Sequence, residues 1–244
     1  MVTLTTLAIP ARGSLIVNGN FQTFTGTATN PFVYSATTGQ QLANWTGSVA
    51  GMASGSYPGL VCVESAASTN PFCGYAKFGT TPGASPDGGN YVMFDSDPKN
   101  TATISQTITG LTVGQKYLLS FYQAATYQTT YTGVKNQQFQ VTFGTQTLTA
   151  TSPNPTTTSS GWQLVNLIFT ATSTSQSLTF AAIVPPGTPS GLPPVLLLDG
   201  VNLTTPEPAT WMTMGLGGAL LIALGMIGRK QAPEPAPVKH EVGG

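Results

Sequence analysis

Asp95 and Asp97 are the two carboxylates of this chain whose spacing could do chemistry together. Two positions apart on an extended backbone, they face the same way, and a facing carboxylate pair is the acid and base of glycoside hydrolysis. Ser96 and Pro98 alternate with them, however, at the exit of a strand, where aspartate is ordinary turn chemistry. The single histidine, His240, lies close to the C-terminal end. Upstream of it no imidazole is present to activate a serine or cysteine, and none to ligate a metal. The chain therefore reads as non-catalytic, with a glycoside hydrolase as the remaining enzymatic alternative.

Binding chemistry has more material. Aromatic faces suit the apolar side of a sugar ring, and amides and carboxylates suit its hydroxyls. Trp45, Tyr57, Tyr75, Tyr127, Tyr131 and Trp162 are the candidates, with Tyr127 and Tyr131 in a polar stretch between two core strands. Each is equally suited to packing at the edge of a sandwich core. Cys62 and Cys73 are the only cysteines; in an exported domain they read as one disulfide closing a short loop.

Charge restricts the partners. Charged residues are 7% of the sequence, against about 25% in an average protein. Before residue 205 the basic side chains are Arg12, Lys77, Lys99, Lys116 and Lys135, and the acidic ones are Glu64, Asp87, Asp95, Asp97 and Asp199. The balance is zero and no basic patch exists, so the phosphate attraction that drives nucleic-acid binding is absent.

The elements that must hold these residues are strand-sized. Ser14 to Val17 is a short apolar run that reads as the first strand, and Asn18-Gly19-Asn20-Phe21 follows it as a turn with a buried aromatic. LANW (42–45), GLVCVES (59–65), GYAKF (74–78) and NYVMFD (90–95) are each bounded by Gly, Pro, Ser or Asn. ATISQTI (102–108) alternates apolar and polar, with Gln106 the one break in its inward face. A turn at Val113-Gly114 leads into a long strand through Ala124, and QFQVTF (138–143), WQLVNLIFTA (162–171), SLTFAAIV (177–184) and VLLLDGVNL (195–203) complete the series. About ten strands without helical periodicity predict an all-β domain, a two-sheet, jelly-roll-like β-sandwich over residues 14–204.

The NG-N-F turn, the central SQTITGLTVGQKYLLSFY (105–122) and the closing VLLLDGVNL resemble the galactose-binding-like jelly rolls, which include bacterial carbohydrate-binding modules. Many of those hold a structural calcium ion between their first and last strands. The resemblance implies Asn18, Gln22 and Asp199 as its ligands here. Gln22 stands where relatives often have Glu, and Gly200 where they often have a second Asp; losing both charges weakens a hard-cation site. The alternative for Asp199 is a strand-end residue bonded to a backbone amide.

Thr205 to Lys230 is different in kind. Ala209 to Gly228 carries no charge, and twenty helical residues span about 30 Å, the thickness of a bilayer core. Arg229 and Lys230 form a basic stop that stays cytoplasmic, so the large N-terminal part faces outward. Pro206, Glu207 and Pro208, the apolar Gly-rich span and the basic stop resemble the PEP-CTERM sorting signal of exopolysaccharide-producing bacteria, also labelled an ice-binding protein C-terminal domain. That resemblance implies an exosortase, a membrane transpeptidase, as partner. It departs from the family in the Pro-rich tail 231–244, which carries a second Pro-Glu-Pro. Met1 to Ala11 has no basic n-region and too few apolar residues for an h-region, and residues 1–13 read as a signal-peptide remnant. The expectation is an exported, exosortase-processed cell-surface or matrix protein, associated with exopolysaccharide, and the alternative is a specific carbohydrate-binding module. No cofactor is expected beyond a structural calcium.

Overall fold

The computed structural model describes residues 13–25, 32–33, 41–50, 61–65, 72–73, 76–77, 82–95, 101–127, 137–151, 153, 159–185 and 194–206. One compact unit runs from Pro10 to Thr205; a second takes in Met1–Ile9 and Pro206–Gly244, and Pro206 is its one described residue. Among the described residues no helix is long and apolar enough to cross a membrane. The span expected at 209–228, with Glu207, Pro208, Arg229 and Lys230, lies outside them.

Within the first unit the described regular structure is all strand. In chain order the strands are β1 (Phe24–Thr25), β2 (Phe32–Val33), β3 (Gln41–Leu42), β4 (Thr46–Ala50), β5 (Val61–Ser65), β6 (Phe72–Cys73), β7 (Ala76–Lys77) and β8 (Asn90–Asp95). There follow β9 (Thr101–Thr109), β10 (Lys116–Tyr127), β11 (Gln138–Phe143), β12 (Gln146–Thr149), β13 (Gln163–Thr170), β14 (Ser175–Ile183) and β15 (Pro194–Thr204). One sheet has the order β13-β10-β15-β8-β5-β2 and the other β12-β11-β14-β9-β4, and every pairing is antiparallel. From β8 onward the chain passes back and forth between the sheets, except at the β11–β12 hairpin, whose two strands pair within the five-stranded sheet. The expected sandwich is present.

Alternation decides what the core contains. In β9, Ala102, Ile104 and Ile108 are buried while the intervening Ser and Thr stay outside, as the period of two requires. Phe94 and Phe121 from the six-stranded sheet meet Phe139 and Phe180 from the five-stranded one edge-to-face, with ring centroids 5.1 to 6.1 Å apart. Such contacts add about 0.5–1.5 kcal/mol each to the burial of the rings. Gln106, the break in the inward face, is buried. It holds the chain's beginning in place, accepting from the Val17 N–H at 2.9 Å and donating to Val17 O and Asn44 O.

The first segment corrects the sequence expectation. Ser14 to Val17 is not a strand of either sheet. It runs beside β15, with the Leu15 N–H bonded to Leu203 O and the Val201 N–H to Gly19 O. A Cβ on Gly19 would collide with Val201 O, so only glycine permits this approach. Asn18 and Phe21 take left-handed backbone angles (φ 54° and 55°) to close the turn, and the Phe21 ring is fully buried against Trp45 at 5.6 Å. Burial of that ring offsets a backbone conformation that bulky residues seldom adopt. LANW also divides, into β3, a turn at Ala43-Asn44, and Trp45 at the entry to β4; the described residues of GYAKF, Ala76 and Lys77, form β7, paired with β6.

Candidate functional site

The outer face of the six-stranded sheet is divided along its strands. Towards one end Cys62, Tyr91, Met93, Ala124, Val195 and Leu197 form a second small core, closed by Trp162. Its indole N–H donates to Gly83 O at 3.1 Å, and its ring meets Tyr91 edge-on at 5.7 Å. Towards the other end the same face is open.

Three cross-strand rows make up the open part. Register places Leu164, Tyr122 and Asp199 in the first, Asn166, Ser120 and Asn202 in the second, and Ile168, Leu118 and Thr204 in the third. Apolar groups thus flank a central row of amides and a hydroxyl. The Asn202 Oδ1 atom is buried and finds no hydrogen-bond partner among the described residues. Of the nine, all but Asp199 and Ile168 line a groove of about 630 Å³, together with Ser14, Ile16, Gly19, Asn20 and Asp87 along its far side.

A β-bulge in β15 sets the boundary. The register shifts between Ser120 and Tyr122, so two β15 residues, Gly200 and Val201, stand opposite Phe121, and Gly200 has φ 59°. A bulge with glycine in the left-handed region re-aims every side chain after it. Val201 consequently joins the core and Asn202 turns to the groove.

Just before the bulge, Asp199 is fully buried. Ser85 donates its hydroxyl to Oδ2, while Oδ1 is buried without a hydrogen-bond partner. Burial pushes its carboxyl pKa up to about 7; the bonds from Ser85 and the Gly200 amide oppose the rise and the nearby Asp87 adds to it. Removing a carboxylate from water disfavours its charged form. The loop 82–89 is held over this seam through Ser85 and Gly83, and the Asp87 N–H folds back onto Ser85 Oγ at 3.2 Å.

With this geometry in view, the chain can be set beside other proteins. A family model described as "Protein of unknown function (DUF642)" matches residues 75–195, just under half of the chain. "Halomucin" from Haloquadratum walsbyi (strain DSM 16790 / HBSQ001) is 29% identical over 150 residues, which are 56% of this chain and 1% of that protein. This chain thus spans about a hundredth of the length of that curated relative. Among solved structures, the enzymatically active domain of bacteriophage CBA120 tailspike protein 4 aligns over 79% of this chain and 21% of its own, at 13% identity and TM-score 0.44. TmCBM61 in complex with beta-1,4-galactotriose aligns over 67% and 90%, at 15% identity and TM-score 0.35. The adhesin domain of Lys-gingipain from Porphyromonas gingivalis W83 aligns over 68% and 92%, at 11% identity and TM-score 0.41.

The three residues expected to hold calcium each bond within the protein. The Asn18 carboxamide is committed to its own turn: Nδ2 donates to Thr23 O and Ala43 O, and Oδ1 accepts from the Thr23 N–H. Gln22 donates to Asn20 O and packs where a Cβ on Gly89 would sit. Asp199 is engaged by Ser85. Among the described residues no group of three or more His, Cys, Asp and Glu gathers as a metal site.

Of the expected sugar platforms, Trp45 is excluded. Only 3% exposed, it packs in the core between Phe21 and Phe180 and donates its indole N–H to Asn18 O. Trp162 roofs the small core, and Tyr127 ends β10. Tyr57, Tyr75 and Tyr131 lie outside the described residues, as do Asp97 and His240, whereas Asp95 closes β8. Cys62 is buried and disulfide-bonded; the side chain of Cys73 is outside those described.

The groove residues themselves, Tyr122, Asn166 and Asn202, were missed in the sequence. One signal could have found them: in KYLLSFYQA and QLVNLIFT the outward positions Leu118, Tyr122, Leu164 and Ile168 are apolar although one face of each strand already fills the core.

Proposed function

We propose that this chain is a non-catalytic carbohydrate-binding protein that takes a glycan chain in the groove on the outer face of the six-stranded sheet. The observation that carries this is the row pattern, with Tyr122 and Leu164 on one side of Ser120, Asn166 and Asn202, and Leu118 and Ile168 on the other. A pyranose ring has an apolar face and a rim of hydroxyls. Apolar rows on either side of an amide row match both, because rings can lie on the side chains while hydroxyls reach the amides. Asn202 lines the groove, where its carboxamide is one of the polar groups offered to a ligand hydroxyl. The sandwich is assigned to the jelly-roll class on the alternation of its strands between sheets.

The place of action is proposed to be outside the cell. Pro206, Glu207 and Pro208, the uncharged stretch 209–228 and the basic pair Arg229 and Lys230 support an exosortase-processed export route, and a disulfide between Cys62 and Cys73 suits it. The sorting reading fails if the exported domain keeps full length in strains with and without the cognate exosortase.

The binding test uses the full chain and a panel of immobilised polysaccharides, neutral and acidic. Saturable retention on at least one is expected. Tyr122→Ala and Asn202→Ala should each weaken it about tenfold, or about 1.4 kcal/mol. Retention on none of them, or retention indifferent to both substitutions, would overturn the reading.

A further inference from the structure

The groove is open along one side because, among the described strands, β13 is the edge of its sheet. Natural sheets guard such edges with charge, proline, bulges or extreme shortness, since an unpaired row of N–H and C=O groups is a template for another strand. β13 has none of these. It runs eight residues as QLVNLIFT, pairs with β10 in unbroken register, and carries Leu164 55% and Ile168 42% exposed.

We propose that β13 pairs antiparallel with β13 of a second copy of this chain, joining the two six-stranded sheets and merging their grooves. Three features select a second copy as occupant. The first is backbone phase. The Thr170 N–H points away from β10, because it donates to Gln146 Oε1 at 3.0 Å. On a strand, alternate residues direct their N–H and C=O to the same side, so Ile168, Asn166 and Leu164 present theirs to the open edge.

The second feature is the symmetry of the side chains. A two-fold axis through Asn166 sets Asn166 opposite itself, and Leu164 opposite Ile168 of the second copy. Those three positions are also the ones whose backbone groups are free to bond across the edge. The two exposed apolar residues of β13 thus cover each other, and the amides meet at the axis. Such a self-complementary patch is what an isologous dimer requires.

Charge is the third, since β13 has no charged side chain to repel its own copy. The axis is perpendicular to the sheet, so both grooves open on one face. The row Asn202, Ser120, Asn166 then continues without interruption into its counterpart. The second copy contributes to the site, and a glycan bound across the joint engages both halves, with the gain in avidity that linked sites provide.

Dimerisation is independent of the glycan reading and is tested without glycan. In the purified full chain, Asn166→Cys introduces a thiol at the axis, while Cys62 is already disulfide-bonded. A short bis-maleimide should convert most of this variant to covalent dimer at micromolar concentration. Adding Ile168→Lys, a change at an exposed position, should reduce that yield at least tenfold, with the β-signature of circular dichroism unchanged. Monomer alone from Asn166→Cys leaves the edge to another protein's strand or to none, and overturns self-pairing. Cross-linking that persists with Ile168→Lys overturns the β13 interface.

Discussion

Strands β10 and β15 lie side by side in one sheet, yet their outer face is a sealed core at one end and an open groove at the other. At the sealed end Val195, Leu197 and Ala124 are fully buried beneath Trp162 and the loop 82–89. At the open end Leu118, Ser120, Tyr122, Asn202 and Thr204 line the groove. Both ends belong to the same two paired strands. What differs is the side chains, apolar before Asp199 and mixed after it, and the Gly200 bulge that turns Asn202 outward. The same sheet is therefore closed over at one end and left open as a groove at the other.

The largest expected effect sets one end against the other. Leu197→Ala empties a buried position, and such deletions cost about 2–5 kcal/mol because the site collapses only partly. In the monomer, at concentrations too low for β13 to pair with a second copy, Leu164→Ala removes a side chain of similar size from solvent and should change stability by about 0.5 kcal/mol or less. Urea unfolding of both variants measures the contrast. Equal losses would mean that the groove end is covered too, and the division of the face would be wrong.

Next in size is the charge at the seam. The Asp199 pKa is raised from 3.8 to about 7, so the folded protein holds a proton that the unfolded chain releases. Below pH 4 both states are protonated. Between about pH 4 and 7 the unfolded state ionises alone, and stability falls as pH rises; above 7 both are ionised and the fall ends. At 1.36 kcal/mol per pKa step the loss is at most about 4 kcal/mol. Asp199→Asn keeps an acceptor for Ser85 without a charge, so it should flatten this part of the stability profile and stabilise the protein at pH 8. A wild-type profile already flat from pH 4 to 8, becoming steep only after EDTA, would place a cation on Asp199 after all.

How much of this was legible in the sequence depends on which physical signal each part uses. The sandwich was readable because alternation in β9 and the apolar runs of β8 and β15 follow from burial of one or both faces. Ser14 to Val17 misled because an apolar run looks the same whether it pairs in a ladder or lies along a strand edge; its place is fixed by Gln106, which lies far away in sequence. Trp45 misled for a related reason, since an aromatic beside a turn carries no mark of inward or outward direction. The groove escaped because it is made of register. Asn166, Ser120 and Asn202 come from three strands, and only the pairing of β10 with β13 and β15, bulge included, sets them in a row.

Smallest in energy, and closest to the boundary itself, is Gly200→Ala. Its φ of 59° is one that a residue with a side chain adopts at a cost of about 1–2 kcal/mol. An added Cβ would also stand 2.9 Å from Tyr122 Cδ2 and 3.2 Å from Asp87 Cβ. The first distance is too close to be left unrelieved, so the ring must shift into the groove or the bulge must flatten. If the ring shifts, unfolding free energy drops by about 1–2 kcal/mol and glycan retention weakens, while circular dichroism stays the same. If the bulge flattens, Asn202 turns inward and Val201 outward. Retention is then lost as completely as in the double variant Tyr122→Ala/Asn202→Ala, and the loss of stability exceeds that range because Val201 leaves the core. Unchanged retention with unchanged stability would show that the bulge does not set the boundary between the two ends of the face.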